Sequence, residues 1–394
     1  MSALKQIGAI GAMNLRSIPQ RLGTSSVIVI GIAGVVAVLL SVMAMAVGIM
    51  QTISSTGRPD RAIIVRAGSN SELASSITRD AVLTISDAPG IKRGTDGKPL
   101  VSAETITLMD ATTADNSWAN VVVRGIGAAT MQMRPEMKII EGRMFRPAVN
   151  ELIVGKKVPQ QFPELRVGRS LKFANSEWQV VGMFASDGDQ HESEVLGDSE
   201  TVVSAVRRGT YQPVSVLLES ADRFDAFKTA LTTNPTLSVD VKRESEYFKE
   251  QSGPIGRTLS IIAYVVGGIM AVGALFGALN TMYSAVSQRT REIATLRALG
   301  FGPGAVVISV FVEAVLLALI GAILGSLAAW AFFDGNVVST SASGGISQLM
   351  FALTVTPGLV VLGIVWACAI GLLGGLFPAI RAARLPVATA LRAT

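Results

Sequence analysis

The sequence predicts a membrane protein with four transmembrane α-helices and a large α+β extracytoplasmic domain inserted between the first and second. Three observations carry that fold class. The 394 residues are 49% hydrophobic and only 16% charged, and the mean hydropathy of +0.48 exceeds what a soluble domain of this length needs. Four apolar runs are long enough to cross a bilayer. Between the first two runs charge returns, and turn residues recur about every ten positions through strand-like alternation.

In order along the chain, residues 1–22 hold Lys5, Arg16 and Arg21 among Leu4, Ile7, Leu15 and Ile18. That pattern fits an amphipathic helix lying on the membrane surface before Pro19 turns the chain inward. The uncharged stretch from Leu22 to Gly57 is longer than a secretory h-region, so residues 23–53 read as the first span, although Ala44-Met45-Ala46 has the form of a cleavage site. Residues 58–255 form the inserted domain, with strands predicted over RAIIVRAG, NVVVRGIG, NELIVG, SLKFANSEWQVVGMF and VSVLLE. Helices are predicted over 71–88 and 222–233, the second opened by Asp222 as N-cap. About 200 residues of this kind bury a core of their own, and a division into two subdomains is expected near Asn150.

Three further spans follow at 256–288, 303–333 and 353–380, joined by an extracytoplasmic loop at 334–352. The uncharged run Thr258–Gln288 would reach roughly 46 Å at about 1.5 Å per residue, beyond the roughly 30 Å of hydrocarbon, so this helix should protrude. Gly253 and Pro254 are predicted to end any helix arriving from Arg243–Gln251. Lys and Arg fix the orientation. The N-terminal segment, a short island after the second span (Arg289, Arg291, Arg297) and the tail 381–394 (Arg381, Arg384, Arg392) are basic, whereas Asp334–Met350 has no Lys or Arg. Both termini and the island are therefore expected in the cytoplasm and the inserted domain outside. These flanking charges account for the net charge of +5 without a nucleic-acid partner.

Catalysis and metal binding find little to use. Cys368 is the one cysteine and lies in an apolar run, which excludes an intrachain disulfide or a cysteine metal cluster. The single His191 sits in an acidic stretch, ASDGDQHESEVLGDSE, whose spacing matches no calcium loop. It reads as a solvated acidic loop, with no metal, cofactor or catalytic site. Glu313, inside the third span, needs a reason to be there: a conformational latch pairing with an arginine on the cytoplasmic side, a proton site, or, as its shallow depth favours, a structural residue that snorkels or caps a neighbouring helix.

The island at 289–302 is the most informative stretch. Ile293, Leu296 and Leu299 recur among Arg289, Arg291, Glu292 and Arg297, giving a short amphipathic helix closed by Gly300 at its C-cap and followed by Pro303 opening the next span. Read as a docking helix, its three apolar residues fill a groove on a cytoplasmic partner, with Arg291, Glu292 and Arg297 at the rim. Arg289 also falls at the rim, where its loss would be mild. Read otherwise, it is a solvated turn.

The segment SAVSQRTREIATLRALGFGPGAV, the following Phe311-Val312-Glu313-Ala314 and the tail PAIRAARLPVATALRAT resemble the ABC-transporter permeases of the macrolide-exporter and cell-division type, the MacB, LolC/LolE and FtsX superfamily. IIEGRMF and VGRSLKFANSEWQVVGMF are similar to that family's periplasmic core domain, and SEVLGD to its loop after the hairpin. The resemblance implies an inner-membrane permease subunit working as a dimer with a second copy or a paralogue. The island would be a coupling helix carrying Arg291, Glu292, Ile293, Leu296, Arg297, Leu299 and Gly300. This sequence holds no phosphate loop ending in Gly-Lys-Ser or Gly-Lys-Thr, so ATP and Mg would be bound by a separate dimeric ATPase. The resemblance implies export or extraction of a lipid, lipoprotein, peptide or drug, with a periplasmic adaptor as a further partner. An FtsX-like scaffold that activates a cell-wall hydrolase is the alternative.

Overall fold

The computed structural model describes residues 22–342 and 347–384. The surface helix expected over 1–22 and most of the tail lie outside the described residues, as do the side chains of Leu296 and of 340–348. The chain divides into two compact units. One holds the membrane helices up to 47, from 257 to 336 and from 353 onward, and the other holds 48–256 together with 337–352.

Helix α1 (Leu22–Ser54) is followed in the outer unit by β1 (Arg61–Arg66), α2 (Arg79–Ser86), β2 (Val101–Ala103), β3 (Thr105–Thr112), β4 (Trp118–Ile126) and α3 (Thr130–Met133). Next come β5 (Met137–Gly142), β6 (Glu151–Gly155), α4 (Val158–Gln161), β7 (Ser170–Phe173), β8 (Ser176–Ser186) and β9 (Glu194–Asp198). The unit closes with α5 (Ser199–Ala205), β10 (Val214–Leu217), α6 (Phe224–Thr232) and β11 (Val239–Arg243), which leads into α7 (Glu244–Gln288). Then follow α8 (Thr290–Ala298), α9 (Pro303–Phe333), the hairpin β12 (Val337–Ala342) and β13 (Ser347–Ala352), and α10 (Pro357–Ala383).

Helices α1, α7, α9 and α10 are the four long, apolar helices. Glycine sets how closely they pack. A Cβ at Gly325 of α9 would lie 2.5 Å from the Ala33 carbonyl oxygen of α1, and one at Gly371 of α10 would lie 2.6 Å from the Ala318 Cβ of α9. Such approaches are the small-residue packing that membrane helices use where no hydrophobic force drives them together. Contrary to the sequence expectation, α7 does not stop at Gly253-Pro254 but runs unbroken through Pro254 for 45 residues. The roughly 3 kcal/mol that an internal proline costs falls next to residue 256, where the helix leaves the outer unit.

The outer unit has two sheets. An antiparallel sheet in the order β11-β1-β10-β2 buries Ile64, Val214, Val216 and Val241 against Ile85 of α2 and Phe224, Phe227 and Leu231 of α6. A seven-stranded mixed sheet runs β3-β4-β9-β6-β8-β5, with β7 on β8. Its central strands are buried on both faces. Leu152, Val154, Val180 and Val195 enter one core, while Ile153, Val181 and Leu196 enter the other, as the period of two requires. The second sheet is inserted within the first, so the subdomains do not divide near Asn150, which lies between β5 and β6 of one sheet. The helix expected over 71–88 is confined to α2, and α6 is capped by Arg223 after a tight turn at Ala221–Arg223 rather than by Asp222.

Two stretches read as loops are ordered. The segment 334–352 contains a hairpin whose Met350 is buried in the seven-stranded core, its backbone N–H and C=O both bonded to the Ser193 hydroxyl at 3.1 and 3.0 Å. The acidic stretch is not solvated: Asp189, His191, Glu192 and Glu194 are buried, and SEVLGD contributes a central strand. Arg124 makes this possible by pairing with Glu194 at 2.7 Å, Glu104 at 2.8 Å and Glu72 at 3.0 Å. Burial raises the Glu194 carboxyl, but Arg124 and His191 outweigh it and hold the group far below its ordinary range. Burial prevails at Glu72, which is pushed up.

Two outcomes test this packing. Gly325→Leu should destabilise the chain in detergent by at least about 1–3 kcal/mol through overpacking, read as a lowered Tm. Gly277→Leu should leave it unchanged, because a Cβ there meets nothing within 4 Å. In the outer unit, Arg124→Met strands the buried carboxylates of Glu104 and Glu194 and the half-buried one of Glu72 and should cost about 3–5 kcal/mol in chemical denaturation; a near-neutral result would overturn the assignment of that arginine as the hub.

Candidate coupling site

The α8 helix is held at both ends. Gly300 has φ +92, and the preceding residue, Leu299, donates its N–H back to the Thr295 carbonyl, closing the helix before Pro303 opens α9 as its first residue. The Arg297 guanidinium donates to the Ala383 carbonyl at 3.0 Å, bonding one of the last carbonyls of α10 where the helix dipole favours a cation.

The site residues read from the sequence do not share one outward face. Arg291 and Glu292 are exposed, as is Leu299 at 73%. Ile293 is 7% exposed and belongs to the core of the membrane unit together with Met282, Val286 and Val306. It packs within this chain and is not a knob for a partner. The reason is geometric: steps of three residues precess by about 60° per step on a helix of 3.6 residues per turn, so Ile293 and Leu299 point well apart. The Leu296 side chain lies outside the described residues. What faces outward is Arg291, Glu292, Thr295, Ala298 and Leu299.

Arg289 corrects the sequence reading further. It is 6% exposed and not at a rim. Its guanidinium grips the Glu313 carboxylate of α9 at 2.9 and 3.4 Å, and Glu313 is itself 7% exposed. Of the readings left open for Glu313, the structure gives it the arginine partner. A signal was present, because a carboxylate inside a span demands a cation nearby, and Arg289 is the basic residue that follows the preceding span.

A second junction lies in the outer unit and was not read from the sequence. Glu244, the first residue of α7, accepts from Arg61 Nε at 2.5 Å, from Arg134 and from the Arg58 N–H at 3.1 Å. Arg61 also reaches the Thr56 carbonyl at 3.4 Å just beyond α1, and the Thr56 hydroxyl accepts from the Gln190 N–H at 3.1 Å. Gly57 is needed here, since a Cβ would lie 2.5 Å from Ser245 Cα. The end of α1 and the start of α7 are thus clamped together by buried charge.

A bundle of four apolar helices carrying a tethered helix between its second and third spans, and an α+β domain between its first and second, is the build of a membrane permease. The chain matches the MacB-like periplasmic core domain over residues 22–234 and the FtsX-like permease C-terminal domain over 264–387. It belongs to the MacB/FtsX family of ABC transporter permeases. It is 26% identical to the uncharacterized ABC transporter permease YknZ of Bacillus subtilis, covering 100% of both chains. It is 27% identical to the macrolide export ATP-binding/permease protein MacB of Campylobacter jejuni, over 97% of this chain but 60% of that protein's length. Among solved structures it is similar to the extracellular domain of YknZ, at 19% identity over 46% of this chain and 99% of that one, with a TM-score of 0.36.

The buried pair gives a direct test. Arg289→Ala should destabilise the chain by about 3–5 kcal/mol by leaving the Glu313 carboxylate alone, whereas Arg289→Met with Glu313→Leu should recover most of the loss. A double-mutant cycle in detergent measures the coupling, and additive single effects would show that the two residues do not depend on each other.

Proposed function

We propose that this chain is the transmembrane subunit of an ABC transporter whose ATPase is a separate cytoplasmic dimer, and that α8 is the helix the ATPase engages. The observation that carries this reading is the build of α8: an exposed edge of Arg291, Glu292 and Leu299 on a helix tied inward by Ile293, the Arg289–Glu313 pair and Arg297. An exposed leucine between charges suits a partner's groove, and the ties mean that force on the helix reaches α9 and α10. In this reading ATP and Mg are bound by the partner and nothing is hydrolysed by this chain. Both termini lie in the cytoplasm, the bilayer is the bacterial inner membrane, and the permease works beside a second copy or a paralogue.

Closure of the ATPase would move α1 and α7, and the Glu244 clamp would carry that motion into the outer unit, which performs export or extraction of a lipid, lipoprotein, peptide or drug, with or without a periplasmic adaptor. The similarity to a macrolide export protein supports export. The alternative of an FtsX-like scaffold activating a cell-wall hydrolase is not favoured, because residues 22–234 match the MacB-like core domain.

The experiment is purification of the native complex from membranes, identification of a P-loop subunit in it and assay of Mg-ATP hydrolysis. The isolated chain should hydrolyse nothing and the complex should be active. Leu299→Asp should abolish co-purification of the ATPase by placing a charge in the contact, while the lipid-facing Val361→Leu should retain it. Wild-type co-purification by Leu299→Asp would remove α8 as the docking element.

A further inference from the structure

A cavity of about 330 Å³ opens where three helix ends of the membrane unit meet. It is lined by Asn280, Tyr283, Ser284 and Ser287 of α7, Thr290 at the start of α8 and Arg381 in the last turn of α10, with Val286 also at its wall. Among the described residues no carboxylate lines it. Arg381 lies over the Tyr283 ring at 5.5 Å, and among the described residues no carboxylate lies within ion-pair distance of its guanidinium. Arg289, the neighbouring cation, is already neutralised by Glu313. Among the described residues, the pocket therefore combines a guanidinium that has no carboxylate partner with hydroxyl and amide groups, the chemistry that recognises a phosphoryl group.

The surroundings say which phosphoryl group. On α7 the residues Ile269, Val272 and Phe276 are 70%, 54% and 66% exposed. Their spacing of three and four continues through Asn280, Tyr283 and Ser287, so one stripe of the helix passes from bare apolar surface into the donor pocket. On α10, Leu373 and Phe377 are exposed at 54% and 60% and lead in steps of four to Arg381. Two apolar tracks converging on a cationic, hydroxyl-rich pocket at the end of membrane helices match an amphiphile with a phosphate head.

We propose that this pocket binds the phosphate of an acidic phospholipid from the leaflet on the α8 side, with the acyl chains along the α7 and α10 tracks. Because Thr290 both lines the pocket and begins α8, an occupied site holds the base of that helix. The site depends on the membrane helices alone and not on the reading of α8 as an ATPase contact.

The test uses the full chain in detergent, delipidated, and native mass spectrometry with phosphatidylglycerol or phosphatidylcholine of the same acyl chains. Phosphatidylglycerol should be retained preferentially. Arg381→Gln should weaken retention about tenfold, the loss of one charge-assisted pair, and Arg381→Lys should recover part of it. The double variant Ser284→Leu and Ser287→Leu should also lose the lipid at unchanged Tm. Arg384→Gln, exposed nearby but outside the lining, should retain it. Equal retention of the two lipids, or equal losses from Arg384→Gln and Arg381→Gln, would overturn the site. Displacement of phosphatidylglycerol by millimolar inorganic phosphate would assign the pocket to a soluble anion and overturn the lipid.

Discussion

A carboxylate on a membrane-buried helix cannot remain charged and alone, and the α8 end of the membrane unit is arranged around that constraint. Glu313 is placed within α9 where solvent does not reach it, and the Arg289 guanidinium is the group that makes the position tolerable. Arg289 stands between Gln288, where α7 ends, and Thr290, where α8 begins. The pair therefore fixes more than two side chains. It sets the point at which the chain leaves one span and turns into α8, and it presses the Ile293 side of α8 into the bundle core. The outward edge of α8 is then determined by what remains, namely Arg291, Glu292 and Leu299.

The outer unit applies the same physics with more charges. Arg124 draws Glu72, Glu104 and Glu194 inward, and Arg61 with Arg134 satisfies Glu244 at the head of α7. Each arginine serves several strands or helices at once, because its planar fork donates in several directions while staying charged. Buried pairs of this kind are weak sources of net stability, since desolvation cancels much of the attraction. What they supply is a penalty for any arrangement in which one partner is lost. Within the outer unit, the residues that follow α1 and the head of α7 are therefore held in one geometry and do not slide as apolar contacts would.

The four apolar helices and the close of α8 were legible because each rests on local pattern: uninterrupted apolar runs, Gly300 where a positive φ is needed, Pro303 where a missing N–H is harmless. The strands of the inserted domain were legible through alternation, as in β6 and β8. Legibility failed wherever the partner was distant in sequence. His191 to Glu194 read as solvated because nothing nearby announces Arg124, which lies on β4. Met350 gave no sign that Ser193 would receive it. Ile293 and Arg289 were turned the wrong way because a short helix with charges on all sides does not reveal which face the bundle takes. That choice was made by Glu313.

Helix α7 shows what these local solutions amount to along one element. It is the least buried of the four apolar helices, and a Cβ at Gly268, Gly273 or Gly277 would meet nothing within 4 Å. By contrast, Gly321 and Gly325 of α9 sit against the backbone of α1, and Gly371 and Gly375 of α10 against alanines of α9. Its middle is therefore lightly held by this chain, while its ends are not: Glu244 is locked by two arginines, and Arg289, the residue after its last, is locked to α9. A helix of this length, about 68 Å at 1.5 Å per residue, is thus held most firmly at its termini and meets its neighbours at separate points along its shaft, Gly256 against Met50, Gly267 against Leu39 and Ala278 against Gly374. On the proposed reading, that distribution of contacts is what a transmitting element requires, because a shaft packed as tightly as α9 would dissipate motion into its neighbours.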